Sequence, residues 1–113
     1  MSNFTKPIST PNNTFANLKT LMKAAQPTFV ADRLMSLGIF NPDGAVLLYI
    51  HLTDNGQTSP VTGTDGWPIG GAAGAADKTF YANQGANNAF LDYGTVWIFT
   101  ASVIVVKVIA VGA

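Results

Sequence analysis

Few residues in this chain are able to do chemistry. His51 is the only histidine and there is no cysteine, so a zinc set of nitrogen and sulfur ligands is not available. His51 stands in the run Leu47-Leu48-Tyr49-Ile50-His51-Leu52-Thr53, which reads as a strand, and is expected to be a half-buried strand residue. The acids are six aspartates, Asp32, Asp43, Asp54, Asp65, Asp77 and Asp92. Asp43, Asp54 and Asp65 lie beside Gly or Asn-Gly, which is turn usage. No D-x-D-x-D-G calcium loop is present, and no spacing brings two carboxylates together as a glycosidase pair. Ser59-Pro60 and the other hydroxyls form no G-x-S-x-G elbow. The glycine-rich run Gly70 to Lys78 lacks the spacing of a phosphate loop and its strand-to-helix setting. No catalytic residue, cofactor site or metal site is expected, and the chain is read as a non-enzyme.

Aromatic side chains are the remaining binding chemistry. Trp67, Tyr81, Tyr93 and Trp97 are candidates for a sugar-stacking platform, because an aromatic face is a flat apolar surface. Trp97 lies in Val96-Trp97-Ile98-Phe99 and is expected in the core. Trp67, between Gly66 and Pro68, is the surface candidate. The alternative function it suggests is a glycan-binding module for host-surface recognition.

Composition narrows the choice further. Charged residues make up 11 % of the 113 residues and hydrophobic residues 48 %, whereas roughly 25 % charge is usual. Hydrophobicity this high excludes a disordered chain. A formal net charge of zero argues against nucleic acid as the partner. A surface so poor in charge favours association, and an obligate homo-oligomer is expected. The charges are unevenly placed: residues 1–40 carry four cations and one aspartate, and residues 41–113 carry two cations and five aspartates. The basic N-terminal part of one subunit is therefore expected to dock on an acidic surface of another.

These residues must be positioned by strands. Residues 1–14, with Pro7 and Pro11 among Ser, Thr and Asn, read as an extended arm, loose or laid on a neighbour. They contain no apolar run of the kind a secretory signal needs. Residues 15–25 fit a short amphipathic helix through Phe15, Leu18, Met22 and Ala25. Asn13 or Thr14 caps its start and Pro27 limits its end. From residue 28 the pattern is β. Phe29 to Phe40, which alternates in its second part, and Ala45 to Thr53 read as a hairpin around the turn Asn41-Pro42-Asp43-Gly44. Residues 54–79 are a long polar connection, with short strands at Val61 and Trp67-Pro68-Ile69 and a coreless stretch at 70–76. A strand at Phe80 to Ala82 is followed by the turn 83–88, Asn-Gln-Gly-Ala-Asn-Asn.

The run Thr95 to Ala113 is long enough to cross a membrane. Its Lys107, however, carries an insertion cost of about 2.5–3.5 kcal/mol near the centre of a span. Two strands turning near Thr100 to Ser102 fit it better, and no membrane partner is expected. The last strand, Val103 to Val111, is so apolar that burial on both faces is expected, by a second sheet and by a neighbouring subunit. Seven or eight short strands between turn clusters are the signature of an all-β sandwich. The domain division is an arm and helix over 1–27 and a sandwich over 28–113.

The stretch from Ala31 to Leu52, containing Arg33-Leu34, Asn41-Pro42-Asp43-Gly44 and Tyr49-Ile50-His51-Leu52, resembles a hairpin of small virion proteins of tailed bacteriophages. Thr58 to Asp65 is similar to their P-V-x-G-T-D loop, and Ala89-Phe90, Gly94, Ile98 and Thr100 to the segment before their final strand. The resemblance covers residues 28–111, and the chain departs from it at 70–76 and at 83–88. It implies a jelly-roll-like β-sandwich and a structural role in the virion, as a capsid decoration or head-fibre component. It further implies a homotrimer, the major capsid protein as partner, and no catalysis.

Overall fold

Alternation of apolar residues at a period of two gives each strand one buried face. The computed structural model describes residues 2–54, 60, 63–71, 77–83 and 91–113. Among these are eight strands: β1 (Asn3–Ser9), β2 (Ala16–Asn17), β3 (Leu34–Phe40), β4 (Leu48–Leu52), β5 (Trp67–Ile69), β6 (Thr79–Asn83), β7 (Val96–Thr100) and β8 (Val105–Gly112). One helix, α1, spans Leu18–Ala25. Sheet I has the order β1-β8-β3-β6 and sheet II the order β2-β7-β4-β5. Strand β1 pairs with β8, β2 with β7, β3 with β6 and β4 with β5, all antiparallel. The first half of the chain is thus laid along the second and folded over into two sheets, which is the jelly-roll topology. The all-β sandwich read from the sequence is the fold observed.

The N-terminal arm is extended, as expected, but it is not loose. Phe4 and Ile8 of β1 are buried in the core, and seven register pairs bind β1 to β8. The signal was thin, since only two apolar residues alternate. Lys6, between them, turns aside and its Nζ donates to the Ala25 carbonyl at 3.2 Å, where a cation suits the carbonyl end of a helix. Pro7 is tolerated because β1 is an edge strand.

Helix α1 starts three residues later than its apolar spacing predicts. Ala16 and Asn17 pair with Ile98 and Trp97 and are used as a strand. Asn17, rather than Asn13 or Thr14, is the cap: its Oδ1 accepts from the Thr20 N–H at 3.3 Å. Leu18 and Met22 are buried, while Phe15 lies outside, with its ring 5.1 Å from that of His51.

The predicted hairpin around Asn41 is also corrected. Strand β3 belongs to sheet I and β4 to sheet II, so the turn is a corner between layers. Side chains bind the backbone there that a hairpin partner would have bound. Buried Asn41 donates through Nδ2 to the carbonyls of Val46 at 3.0 Å and Ile69 at 2.9 Å. Its Oδ1 accepts from the Asp43 N–H at 3.0 Å. Asp43 Oδ1 accepts from the N–H groups of Val46 at 2.7 Å and Ala45 at 2.8 Å, and these two bonds hold its carboxyl below the ordinary value. Leu37 and Ile39 of β3 and Leu48 and Ile50 of β4 then share one core.

The C-terminal run forms β7 and β8, in different sheets, with the connection at residues 101–104. Among the described residues, no helix is long and apolar enough to cross a membrane. The expected strand at Val61, the stretch 72–76 and the turn at 84–88 lie outside the described residues.

Tyr93 closes the core beneath α1. It is fully buried, and its hydroxyl donates to the Ala31 carbonyl. Burial first, then the charges of Asp32 and Asp92, push its pKa up to about 12. Tyr93→Phe leaves the Ala31 carbonyl without this donor, so a loss of about 1–3 kcal/mol is expected in urea unfolding. The raised pKa means that the folded state favours the neutral phenol. This contribution is present below pH 10.0 and is lost as pH rises towards about 12. Tyr93→Phe should flatten that alkaline limb of the stability profile.

Candidate assembly surface

The strands bring the candidate residues to separate places. Tyr93 is in the core. Trp97 is half-buried on the outer face of sheet II, paired with His51 across β4 and β7. Its Nε1 is buried without a hydrogen-bond partner. Trp67 is 65 % exposed at the edge strand β5. Tyr81 projects from β6 on the outer face of sheet I. The four aromatics therefore do not build one sugar-stacking platform, because they belong to two sheets and to the core. Trp97 also corrects the expectation of a core residue, since it alternates with buried Val96 and Ile98.

His51 is the half-buried strand residue that its setting predicts. Its Nε2 lies 2.8 Å from the Gly63 carbonyl. Asp43 serves its corner, and Asp92 caps a 3-10 turn by accepting from the Gly94 N–H at 3.1 Å. Asp32 lies 3.6 Å from Lys19 and 3.9 Å from Lys23. With Lys6 held by α1, the N-terminal lysines thus find partners inside their own chain. Asp54, Asp65 and Asp77 are exposed. Among the described residues, no three of His, Cys, Asp and Glu are grouped to hold a metal.

The two outer faces differ. On sheet II, Tyr49, His51 and Phe99 point outward with Phe15 beside them; the Phe15 and Phe99 rings are 5.2 Å apart. The chain covers this cluster with its own 3-10 turn, Gly63–Asp65. A Cβ on Gly63 would stand 2.5 Å from the Phe99 ring, so only glycine allows that approach.

Sheet I has no such cover among the described residues. Strand β8 buries Val106, Val108 and Ala110 and turns Val105, Lys107 and Ile109 outward. Of the two faces of β8 expected to be buried, the second sheet covers one, and the other is open among the described residues of the chain. Tyr81 is 77 % exposed and Ile109 55 %. Between them lies Gly38, whose hydrogen stands where a Cβ would be 3.0 Å from both Ile109 Cγ2 and Tyr81 Cε1. The Tyr81 ring lies across this gap, which restores packing that a strand glycine lacks. A groove of about 340 Å³ opens there, lined by Thr5, Gly38, Phe40, Thr79, Tyr81, Lys107, Val108 and Ile109. Lys107 is the one charged residue at the described outward positions of sheet I. The period-two position of Lys107 in Val105-Val106-Lys107-Val108-Ile109 was the signal for this face.

This geometry can hold an apolar surface or a flat ring, and it contains no nucleophile paired with a base. The chain matches no protein-family model, and no curated protein and no solved structure matches it.

Gly38→Ala tests the arrangement. The atoms its Cβ meets, at 3.0 Å, belong to Ile109 and Tyr81, whose side chains are exposed and have room to turn outward, and alanine costs less than glycine in a strand by about 0.5–1 kcal/mol. The denaturation midpoint is expected to hold or rise. NMR cross-peaks between the Tyr81 ring and the Hα of residue 38 are expected to weaken as the ring is displaced.

Proposed function

We propose that this chain is a virion structural protein of a tailed bacteriophage, a capsid decoration or head-fibre component. It acts by assembling with its own copies, as a trimer, on the major capsid protein. The observation that supports this reading is the open outer face of sheet I, where Tyr81, Val105 and Ile109 stand exposed beside one lysine. Four strands about 4.8 Å apart, with a rise of about 3.4 Å per residue, give a flat area on the order of 500 Å². Side-chain relief enlarges it towards the roughly 800 Å² per partner of a standard interface. Apolar burial there contributes about 25 cal/mol per Å², so attachment needs no chemistry. The jelly roll suits the role because its two sheets form a rigid slab with the outer face of sheet I presented for contact.

A second reading rests on Trp67, which is 65 % exposed at β5. An indole so placed is a stacking surface for a glycan. Under this reading, Trp67→Ala abolishes binding on a glycan array and leaves assembly intact.

Particles purified from the phage that carries the gene are expected to contain the chain in fixed proportion to the major capsid protein. Its absence from the particles would overturn the reading. In solution, light scattering is expected to show an oligomer that Tyr81→Asp together with Ile109→Asp converts to a folded monomer.

A further inference from the structure

We propose that the outer face of sheet I docks on a different surface of a second copy, the end of sheet II where β4 finishes and β5 begins. This contact is head-to-tail and deepens the assembly reading, on which it rests. It brings Lys107 of one copy to Asp65 of the next, within an apolar surround.

The argument starts from Lys107. Among the described residues it has no ion-pair partner, and its outward neighbours in the register are Pro7 and Phe40. No acid stands at the described outward positions of sheet I. A two-fold contact pairs one patch with itself, so sheet I packed on sheet I would bury two ammonium groups and no carboxylate. Burying an unpaired charge is costly. The partner surface must therefore be a different one that carries an acid.

The end of sheet II supplies it. Leu48 and Ile50 of β4 are buried, but Leu52, on the same face, is 65 % exposed because the core ends before it. Trp67 pairs with Ile50, which puts it diagonal to Leu52 on that face. Asp65, exposed, precedes β5 by two residues, and Asp54 follows β4 by two. This is an apolar patch flanked by carboxylates, whereas the patch on sheet I is apolar with one cation. They complement each other in charge and character. They also lie on different sheets, so the contact is heterologous. Such a contact closes into a ring where its rotation allows, and a trimer is one such ring.

The test is a charge exchange in the full-length protein, read by light scattering and sedimentation over a range of concentration. Lys107→Asp and Asp65→Lys are each expected to weaken association by about 10-fold or more, and the double variant to restore it. Trp67→Ala is expected to weaken it by at least about 10-fold. Circular dichroism checks that each variant is folded; an unfolded one is replaced by Lys107→Gln or Asp65→Asn, with the same direction expected. A wild-type oligomer that neither single exchange weakens, or that the double variant fails to restore, overturns the head-to-tail contact and leaves the virion reading standing. A wild-type chain that stays monomeric at high concentration overturns this contact. Absence of the chain from phage particles overturns the virion reading and leaves the charge-exchange result in force.

Discussion

Strand β8 is hydrogen-bonded along both edges, to β1 on one side and β3 on the other, and this double pairing governs the rest of the molecule. A strand fixed on both sides cannot slip by one residue without turning its apolar set to the wrong face. Val106, Val108 and Ala110 therefore point into the core and Val105, Lys107 and Ile109 out of it. The last strand in the chain lies between the first and the third, so sheet I is complete only when both ends of the sequence have met. The N-terminal segment is thus part of the scaffold, and its Phe4 ring packs edge-on against Phe29 at 5.5 Å.

Polar groups do the joining where strands change layers. Asn41 ties the corner after β3 to the carbonyls of Val46 and Ile69. At the connection after β7, Thr100 Oγ1 donates to Thr10 Oγ1 at 2.6 Å, and that oxygen accepts from the Ile104 N–H at 3.1 Å. Both Thr10 and Thr100 are buried, and buried polar groups are tolerated when their hydrogen bonds are made. A jelly roll needs such corners because most of its connections cross from one sheet to the other. Here they are built from short side chains that reach the backbone within a few ångströms.

Most strands were legible in the sequence because they are long and apolar: β3, β4, β7 and β8 stand out by their Val, Ile and Leu content. The layer each belongs to was not. Asn41-Pro42-Asp43-Gly44 has the composition of a hairpin turn, and nothing local distinguishes it from a corner whose asparagine reaches Ile69, 28 residues away. Strand β1 was missed because Phe4 and Ile8 are too few to form a pattern, and their partner lies at the far end of the chain. The helix was seen but placed too early, since Phe15 fits the helical period as well as Leu18 does. That the chain itself leaves the outer face of sheet I open was not legible, for a different reason. A continuous apolar run suggests cover on both sides, and only the parity of Lys107 marks which residues face out.

That parity bears on the proposed assembly. Sheet II turns aromatic residues outward as well, yet the chain spends its own Gly63–Asp65 turn in covering them, with Gly63 against Phe99. Sheet I has no comparable cover among the described residues, and Tyr81, Val105 and Ile109 stand exposed on it. A single chain with 11 % charged residues has little polar material with which to shield two faces. It shields one and, among the described residues, leaves the other open. In the proposed assembly the lone cation on that open face acts by exclusion, because it disfavours a copy of the same face more than it disfavours an acidic edge. One residue of the right parity can in this way select the geometry of an assembly without adding much to its strength, which comes from the apolar surface around it.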